Sequence, residues 1–299
     1  MLDAPAFRSA IDYAALGDRL HAYRIGAALQ AEDVAARLGI SRAAVYRMEK
    51  GEIVKIDTLE RVAELLGTSL ASLLGVEVEY YANALGFFER MRQLERSADS
   101  IFAHFEPVSL LLASDDYPAL LRDMLLEVTA RRAGGALTED QADAIIAVID
   151  DRRRTFRERR PQVVGLIGMH GLERFLQMGM VGRIRLSETV RRRRLAAARQ
   201  EISRLAELMA NEPLNVRIGL IDDAMPASTF EFFSGPSGKA VAVSPFRLGE
   251  LPNVRNGIAT VTSAPEAIQR YEHLIARLWK SAYKGATGAA HLHKLLSRL

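Results

Sequence analysis

Five short stripes of apolar residues follow one another between residues 14 and 75. Within each stripe the apolar positions recur every three or four residues, which is the spacing of one face of an α-helix. The stripes are formed by Leu16, Leu20 and Tyr23; Val34, Ala35 and Leu38; Val45 and Met48; Leu59, Val62, Ala63 and Leu66; and Leu70, Leu73 and Leu74. Five such helices with tight turns predict an all-α domain over residues 1–76.

The ends of these stripes carry signals for helix starts and stops. Ser41 precedes the third stripe and belongs to the preferred N-cap residues. Asp57 with Glu60 forms a capping-box pattern before the fourth stripe. Glycines, which favour a left-handed helix cap, follow the C-terminal ends of four stripes. They are Gly39, Gly51, Gly67 and Gly75.

A longer apolar stripe runs through residues 77–105. Its members step alternately by four and three residues and are Phe87, Met91, Leu94, Ala98, Ile101 and Phe105. Pro107 disfavours helical backbone at the residue before it and would end the element. The pattern predicts one linker helix over residues 77–105, whose stripe packs on the following domain or pairs with its copy in a dimer.

The remaining chain, residues 106–299, mixes strand and helix patterns. Short apolar runs rich in β-branched residues predict strands, and longer stretches with helical spacing or caps predict helices. Strands are expected at 163–167, 216–221, 229–233, 240–244 and 258–262, and helices at 116–132, 138–158, 171–178, 187–209, 264–283 and 287–298. This mixture predicts an α/β or α+β domain with a central sheet, so the chain as a whole is expected to be multidomain.

Composition removes several classes of protein. The chain has no cysteine, which excludes disulfides and thiol catalysis, and its six histidines show no metal-ligand spacing with nearby carboxylates. We therefore expect neither a metal nor a cofactor. There is no apolar run of eighteen residues and no charged-then-apolar leader, so we expect a cytoplasmic protein without a membrane partner.

The most specific pattern lies in the stretch from Gln30 to Gly51. Two short helices share a tight turn at residues 39–41, and apolar residues lie between them. One face of the second helix is left without an apolar partner. A helix held in this way can enter the major groove of DNA, where arginine binds guanine through two hydrogen bonds and alanine contacts the thymine methyl group. The residues of that face are Arg42, Ala43, Tyr46 and Arg47.

This stretch resembles the Xre/Cro-repressor family of helix-turn-helix transcription regulators. The matching positions are Arg24, Val34-Ala35, Gly39-Ile40-Ser41, Val45 and Glu49-Lys50-Gly51. The resemblance covers residues 14–75 and implies sequence-specific DNA binding through a recognition helix over residues 42–49. It also implies that Arg24 pairs with Glu49 beneath that helix. The family often opens its second helix with a phosphate-binding glutamine, whereas this chain has Ala31 there and Gln30 one place earlier.

Individual residues around the recognition helix leave alternatives open. The candidates for DNA contact are Ser41, Arg42, Ala43, Tyr46, Arg47, Lys50 and Lys55. For Tyr46, packing against its own domain is an equally good interpretation. Lys50 and Lys55 follow the helix and could reach phosphates, although solvated lysines fit the sequence nearly as well. Arg24 and Glu49 are interpreted as structural support of the recognition helix rather than as base contacts.

Charge is unevenly distributed along the chain. The net charge is +3, yet residues 37–55 carry five cations against two anions, so affinity for nucleic acid must come from a local patch. Residues 77–151 hold fifteen acidic and six basic side chains, whereas residues 152–213 hold six acidic and fifteen basic ones. Consecutive arginines, as at residues 191–194, point around a helix and cannot form one stripe. We therefore favour pairing between these two regions over a second nucleic-acid site.

Residues 106–299 resemble the effector-type domain that follows the DNA-binding domain in many bacterial Xre-family regulators. The resemblance depends on the order of elements and on the segment Ser244–Gly249, and it implies a sensor. One hypothesis places an effector site here, with Phe246 as a wall and Arg247 or Arg255 bound to an acidic small molecule. The alternative is a rigid surface loop whose arginines pair with Glu250 or with the acidic region.

An enzymatic function finds little support in the sequence. Asp222 and Asp223 follow a strand, but adjacent carboxylates there usually form a turn, and neither a His-x-Lys motif nor a glycine-rich phosphate loop is present. We therefore expect a transcription regulator, not an enzyme, that binds double-stranded operator DNA as a homodimer and responds to a small-molecule effector. The alternative is an antitoxin-like or protein-interaction module tethered to DNA.

Overall fold

The computed structural model describes residues 12–52, 55–76, 78–105, 107–129, 137–183, 185–222, 225–226 and 228–298. The chain divides into two units, Met1–Glu79 and Tyr80–Leu299. Each unit encloses buried apolar residues of its own.

The first unit is built from the five predicted helices. They are α1 (Tyr13–Gly26), α2 (Ala31–Leu38), α3 (Arg42–Glu49), α4 (Ile56–Leu65) and α5 (Leu70–Leu74). Each helix buries part of its apolar stripe, with exposures of 1% or less at Leu20, Val34, Val45, Val62 and Leu73. The five-helix prediction is confirmed, because removing these stripes from water drives the packing of helices that are individually too short to be stable.

The helix ends follow the predicted signals with one exception. Each of the four glycines predicted at these helix ends has φ between +66° and +82°: Gly39, Gly51, Gly67 and Gly75. Ser41 caps α3, since its hydroxyl accepts a backbone N–H of the first turn at 3.1 Å. The capping box predicted at Asp57 and Glu60 is wrong, because α4 already begins at Ile56 with Lys55 in extended backbone as its N-cap. Asp57 instead lies in the first turn, where its charge favours the positive end of the helix dipole.

The single helix predicted over residues 77–105 is also wrong. This segment forms β1 (Val78–Tyr81), α6 (Ala84–Ser97) and β2 (Ser100–His104). Asn83 opens α6 by accepting the N–H of Gly86 at 2.9 Å, and Ala98 ends it with extended backbone. Beyond Ala98 the chain is hydrogen-bonded to strands on both sides. Strand pairing therefore overrides the helical spacing of the apolar residues in β2.

The second unit is organised around a mixed sheet. Its other strands are β3 (Gln162–Gly168), β4 (Val216–Ile221), β5 (Thr229–Gly235), β6 (Gly238–Ser244), β7 (Ala259–Thr262) and β8 (Tyr283–Lys284). The eight strands lie in the order β1-β7-β6-β5-β2-β3-β4-β8. Strands β2, β3 and β4 are parallel neighbours, and β5, β6 and β7 add an antiparallel meander next to β2. All five predicted strands of this unit are confirmed.

Helices accompany the sheet along the chain. They are α7 (Tyr117–Thr129), α8 (Glu139–Arg159), α9 (Met169–Met178), α10 (Glu188–Asn211), α11 (Pro265–Ser281) and α12 (Gly285–Arg298). Thr138 and Gln141 form the capping box of α8. The multidomain prediction, an all-α domain followed by a larger mixed domain with a central sheet, is confirmed. Among the described helices, none has the length and apolar character needed to span a membrane.

Arginines of the second unit pair with carboxylates of the same unit. Arg152 donates two hydrogen bonds to Glu95 at 2.9 and 2.6 Å, which links α8 to α6. Arg194 contacts Glu127 at 2.9 Å and Asp123 at 3.2 Å, which links α10 to α7. Both arginines are at most 3% exposed. The predicted pairing of the arginine-rich and acidic regions is confirmed for these side chains, and their burial makes them inaccessible to a nucleic acid.

Candidate nucleic-acid interface

In the first unit, α3 is held against α2 by a tight turn. Gly39 ends α2 with φ +69°, a conformation that glycine adopts without steric cost. On the inner side of α3, Val45 is fully buried and Met48 is 5% exposed, and Leu38 of α2 is 6% exposed. The turn and this small apolar contact fix the orientation of α3 and leave its other face toward solvent.

Helix α1 supports the C-terminal end of α3 by a backbone-to-backbone approach. A Cβ atom added at Gly17 would overlap the carbonyl oxygen of Glu49 and crowd the backbone nitrogen of Gly51. Any larger residue at position 17 would therefore force α1 away from α3. The sequence contained a signal for this contact, a glycine inside a helical stripe, but spacing alone did not reveal its partner.

Beneath α3, Arg24 and Glu49 form the pair that the family resemblance implies. Nε and Nη2 of Arg24 donate to the two carboxylate oxygens of Glu49 at 2.5 and 3.1 Å, and Nη1 donates to the carbonyl of Leu29 at 3.0 Å. Nδ1 of His21 lies 2.9 Å from Oε2 of Glu49, a contact that the sequence did not indicate. Burial by itself raises the pKa of Glu49, but the hydrogen bonds from His21 and Arg24 outweigh it and hold that pKa below its ordinary value.

The outer face of α3 carries the four side chains that the sequence placed there. Arg42, Ala43, Tyr46 and Arg47 are all exposed. Residues at these spacings project from one side of a helix, so the four form a continuous surface. Ser41 is also exposed at the start of the helix, where its hydroxyl is already engaged as the N-cap.

Arg42 is the centre of interactions on this surface. Its Nη2 donates to the hydroxyl of Tyr46 at 3.2 Å, and its guanidinium lies 5.3 Å from the centre of the Tyr46 ring. Its Nε is 2.8 Å from Oε1 of Glu32 on α2. The hydrogen bond with Tyr46 and the charge of Glu32 raise the pKa of Arg42. Tyr46 thus lies on the exposed face with its hydroxyl directed to Arg42.

The other cations around α3 are solvent-accessible. Nε of Arg47 is 3.7 Å from Oε2 of Glu52, and both side chains are more than half exposed. Lys50, the C-cap of α3, and Lys55, the N-cap of α4, are exposed as well. Ion pairs between exposed side chains contribute only about 0–1 kcal/mol, so these cations can exchange their partners for a polyanion.

The start of α2 departs from the family pattern in structure as it does in sequence. Ala31 is 1% exposed and contributes to the core. Gln30 is exposed and serves as the N-cap residue, with its backbone N–H donated to the carboxylate of Asp33 at 2.8 Å. A phosphate contact by a glutamine at this helix end can therefore come from position 30 and not from position 31.

The residues of the predicted effector site lie in the second unit, in the loop after β6. Phe246 is 4% exposed, and its ring centre lies 6.0 Å from that of Phe87 and 6.5 Å from that of Phe88. Phe246 and Arg247 line a cavity of about 80 Å³, whereas Arg255 is not among its lining residues. The three residues are therefore not assembled into one site.

The same loop is tied together mainly by its backbone. Arg247 and Asn253 exchange backbone hydrogen bonds at 3.0 and 2.9 Å, and the backbone N–H of Arg255 donates to the side chain of Asn253 at 3.4 Å. The carboxylate of Glu250 pairs with Arg174 of α9. The alternative of a rigid loop thus describes the backbone, while Glu250 is bound by an arginine from outside the loop.

Comparison with known proteins bears on the first unit. A family model described as a helix-turn-helix domain matches residues 15–74 of the chain. A comparison with curated proteins found no match. The matched residues run from α1 to the end of α5. Together with the exposed basic face of α3, this match indicates a DNA-binding regulator.

Proposed function

We propose that this protein is a sequence-specific transcription regulator of the Xre/Cro-repressor type, which inserts α3 into the major groove of double-stranded operator DNA. This proposal is based on the difference between the buried and the exposed face of α3. Val45 and Met48 are buried, whereas Arg42 and Arg47 have side chains that are 60% exposed. A helix held from one side and open on the other has the geometry that major-groove recognition requires.

Each exposed side chain has a role suited to its chemistry. Arg42 and Arg47 can each donate two hydrogen bonds to the O6 and N7 acceptors of guanine, and Ala43 can contact a thymine methyl group. Lys50 and Lys55 lie beyond the helix end and serve as phosphate contacts, which position the protein without distinguishing bases.

Binding requires the two arginines to exchange carboxylates for DNA. Arg42 leaves Glu32, and Arg47 leaves Glu52. Exposed ion pairs contribute about 0–1 kcal/mol, whereas a bidentate contact to the correct base contributes about 1–3 kcal/mol. The exchange is therefore favourable at a cognate site and close to neutral elsewhere, which supports discrimination between sequences.

We further propose that the protein binds as a homodimer. A single recognition helix contacts only a few base pairs, and dimeric helix-turn-helix proteins read two half-sites about one helical turn apart. The expected operator is consequently a palindrome. Multi-angle light scattering checks this directly, because a protein that stays monomeric both free and on DNA would exclude the dimer.

The second unit, Tyr80–Leu299, is proposed to modulate DNA binding by taking up a small-molecule effector in the cytoplasm. We do not propose catalysis. Asp222, half of the carboxylate pair considered for it, is exposed, and Asp223 lies outside the described residues. An assay for turnover that survives removal of the helix-turn-helix domain would argue for an enzyme instead.

The decisive experiment selects bound sequences from a random duplex library and then titrates the preferred site. Arg42→Ala and Arg47→Ala are each expected to weaken it by roughly 1–3 kcal/mol and to relax the base preference at one position. Lys50→Ala and Lys55→Ala should weaken all sequences alike and reduce the dependence on salt.

Arg37→Ala is the matched control, since Arg37 is an exposed arginine of α2 outside the proposed surface. It should keep the wild-type base preference. Unchanged specific affinity in both Arg42→Ala and Arg47→Ala would overturn the assignment of α3 as the recognition helix.

A further inference from the structure

A cavity of about 80 Å³ lies in the second unit among α6, α8 and the strands β2, β5 and β6. A single water molecule needs roughly 10–15 Å³, so the space is large enough for a small organic molecule. Part of its lining comes from Phe105, from residues 108–111 and from the loop after β6. Its lining combines an aromatic wall with charged side chains, which is unusual for a simple packing defect.

The aromatic wall consists of three phenylalanines that are 3–4% exposed, Phe87, Phe88 and Phe246. Their ring centres lie 5.9, 6.0 and 6.5 Å apart in the three pairs. Such a cluster provides apolar area for a short alkyl chain. The face of an aromatic ring also attracts a positive charge, and the guanidinium of Arg152 already lies 5.9 Å from the centre of the Phe88 ring.

The charged residues that line the cavity are Arg152, Glu231 and Arg247. Arg152 is 1% exposed and gives two hydrogen bonds to Glu95, so this pair is neutral and geometrically complete. Oε1 of Glu231 lies 3.5 Å from Nη2 of the same arginine. Because Glu95 already compensates Arg152, Glu231 is a second carboxylate without a full countercharge.

Glu231 is also a carboxylate that lines the cavity. Its side chain keeps 25% of its surface accessible, compared with 4% for Glu95. It faces Ala103 on β2, a small residue that leaves the space in front of the carboxylate open. Burial raises the pKa of Glu231 to about 7, which agrees with an incompletely compensated carboxylate.

The other basic side chains near the cavity do not compensate the charge of Glu231. His104 is among the lining residues, but it follows Ala103 in β2, so its ring lies on the opposite face of the sheet, 5.7 Å from the ring of Phe230. Arg247 lines the cavity but is exposed to solvent, where its charge is screened. The interior of the cavity therefore favours a cation over an anion.

We propose that this cavity binds a small organic cation, a primary ammonium on a short apolar chain, with the ammonium at Glu231 and the chain against Phe87, Phe88 and Phe246. Such a ligand is positively charged, whereas the effector expected from the sequence is an acidic molecule. The binding site stands by itself, whereas its role as an effector site rests on the proposed function.

The test uses the full-length protein without DNA and three probes of equal length, n-butylammonium, butyrate and 1-butanol. Butylammonium should raise the melting temperature in a saturable manner, and butyrate should not. In calorimetric titrations Glu231→Gln should weaken butylammonium binding about tenfold to a hundredfold, since a charge-assisted hydrogen bond is replaced by a neutral one.

Two further variants separate a site effect from a general loss of charge. Glu272→Gln removes a carboxylate that pairs with Lys239 away from the cavity and should leave binding unchanged. Ala103→Val keeps Glu231 but narrows the space in front of it and should weaken binding. Butylammonium binding that ignores Glu231→Gln, or no binding at all, would overturn the site.

Binding of butyrate that is lost in Arg247→Ala would also overturn the proposal and would restore the acidic effector of the sequence hypothesis. The regulatory role is tested separately, by measuring operator affinity with and without saturating butylammonium. A change in affinity supports an effector site. Unchanged affinity would remove the regulatory role while leaving the ligand site intact.

Discussion

The arginines on the outer face of α3 and two buried arginines of the second unit differ in how they are held. Arg42 and Arg47 on α3 have side chains 60% exposed, and their carboxylate partners are also more than half exposed. Arg152 and Arg194 in the second unit have side chains 1% and 4% exposed and bind carboxylates on neighbouring helices. The same residue type is therefore available to a ligand on α3 and immobilised as a cross-link at Arg152 and Arg194.

Water is the physical cause of this difference. At the surface, high dielectric screening reduces an ion pair to about 0–1 kcal/mol, so either partner is easily replaced. In the interior, removal of one partner leaves an unpaired buried charge, which costs about 3–5 kcal/mol. An arginine-rich stretch such as residues 152–160 thus does not by itself indicate nucleic-acid binding, whereas two exposed arginines on a fixed helix do.

The largest expected effect comes from the buried cross-link. Arg152→Ala should destabilise the second unit by about 3–5 kcal/mol, because Glu95 is left buried without a partner. Arg154→Ala, at a position with 67% side-chain exposure on the same helix, should cost less than about 0.5 kcal/mol. Denaturant unfolding followed by the fluorescence of Trp279, the only tryptophan in the chain, reports on this unit. Equal losses in the two variants would erase the distinction between buried and exposed arginines.

The pair beneath α3 is a buried cross-link inside the otherwise exposed interface. Arg24→Ala and Glu49→Ala should each cost about 1.5–3 kcal/mol and reduce DNA binding, and the double variant should cost less than their sum. Because the folded-state pKa of Glu49 is lowered, its contribution is present above the ordinary value and is lost as pH falls through the lowered one. Melting curves by circular dichroism from neutral to acidic pH measure both effects; strict additivity would mean that the two side chains are uncoupled.

Glu231 should show the opposite pH dependence. Its folded-state pKa is raised from 4.5 to about 7 by burial, beside Arg152 of α8, Glu95 of α6 and Arg247 of the loop after β6. The folded protein holds this proton more tightly, so stability falls as pH rises through that range, by on the order of 2 kcal/mol. Glu231→Gln should remove this decline and be more stable than wild type at pH 8. Parallel stability profiles of the two proteins between pH 5 and pH 8 would contradict the shift.

The smallest expected effect tests how loosely the exposed arginines are held. Glu32→Gln and Glu52→Gln should increase DNA affinity by about two- to fivefold, since each removes a competing partner and a negative charge near the phosphates. The gain should shrink at high salt, where such interactions are screened. Glu64→Gln, at another exposed position of the first unit, is the control. No gain in either variant would indicate that Arg42 and Arg47 are already free for DNA.

Local signals explain how much of the fold and of the candidate interface the sequence predicts. The turn at Gly39, the cap at Ser41 and the buried Val45 lie within seven residues, so spacing and turn chemistry together define the exposed face of α3. Helical spacing misled the prediction at Ile101 and Phe105, where a step of four residues matched a helix although Ile101 lies in β2 and Phe105 directly follows that strand. Hydrogen bonds to β3 and β5 decide that segment, and neither partner strand is near it in the chain.

By itself, the sequence determined the five helices of the first unit, the strands from β3 to β7 and the basic face of the recognition helix, because periodicity, caps and turns act over a few residues. Only the tertiary structure decided which arginines are buried. Arg152 meets Glu95 across 57 positions of sequence, and Glu231 joins them from β5. Whether a charge is screened by water or paired in the interior depends on what surrounds it in space. The proposed preference of the cavity for a cationic over an anionic ligand was therefore not predictable from the residues of any one segment.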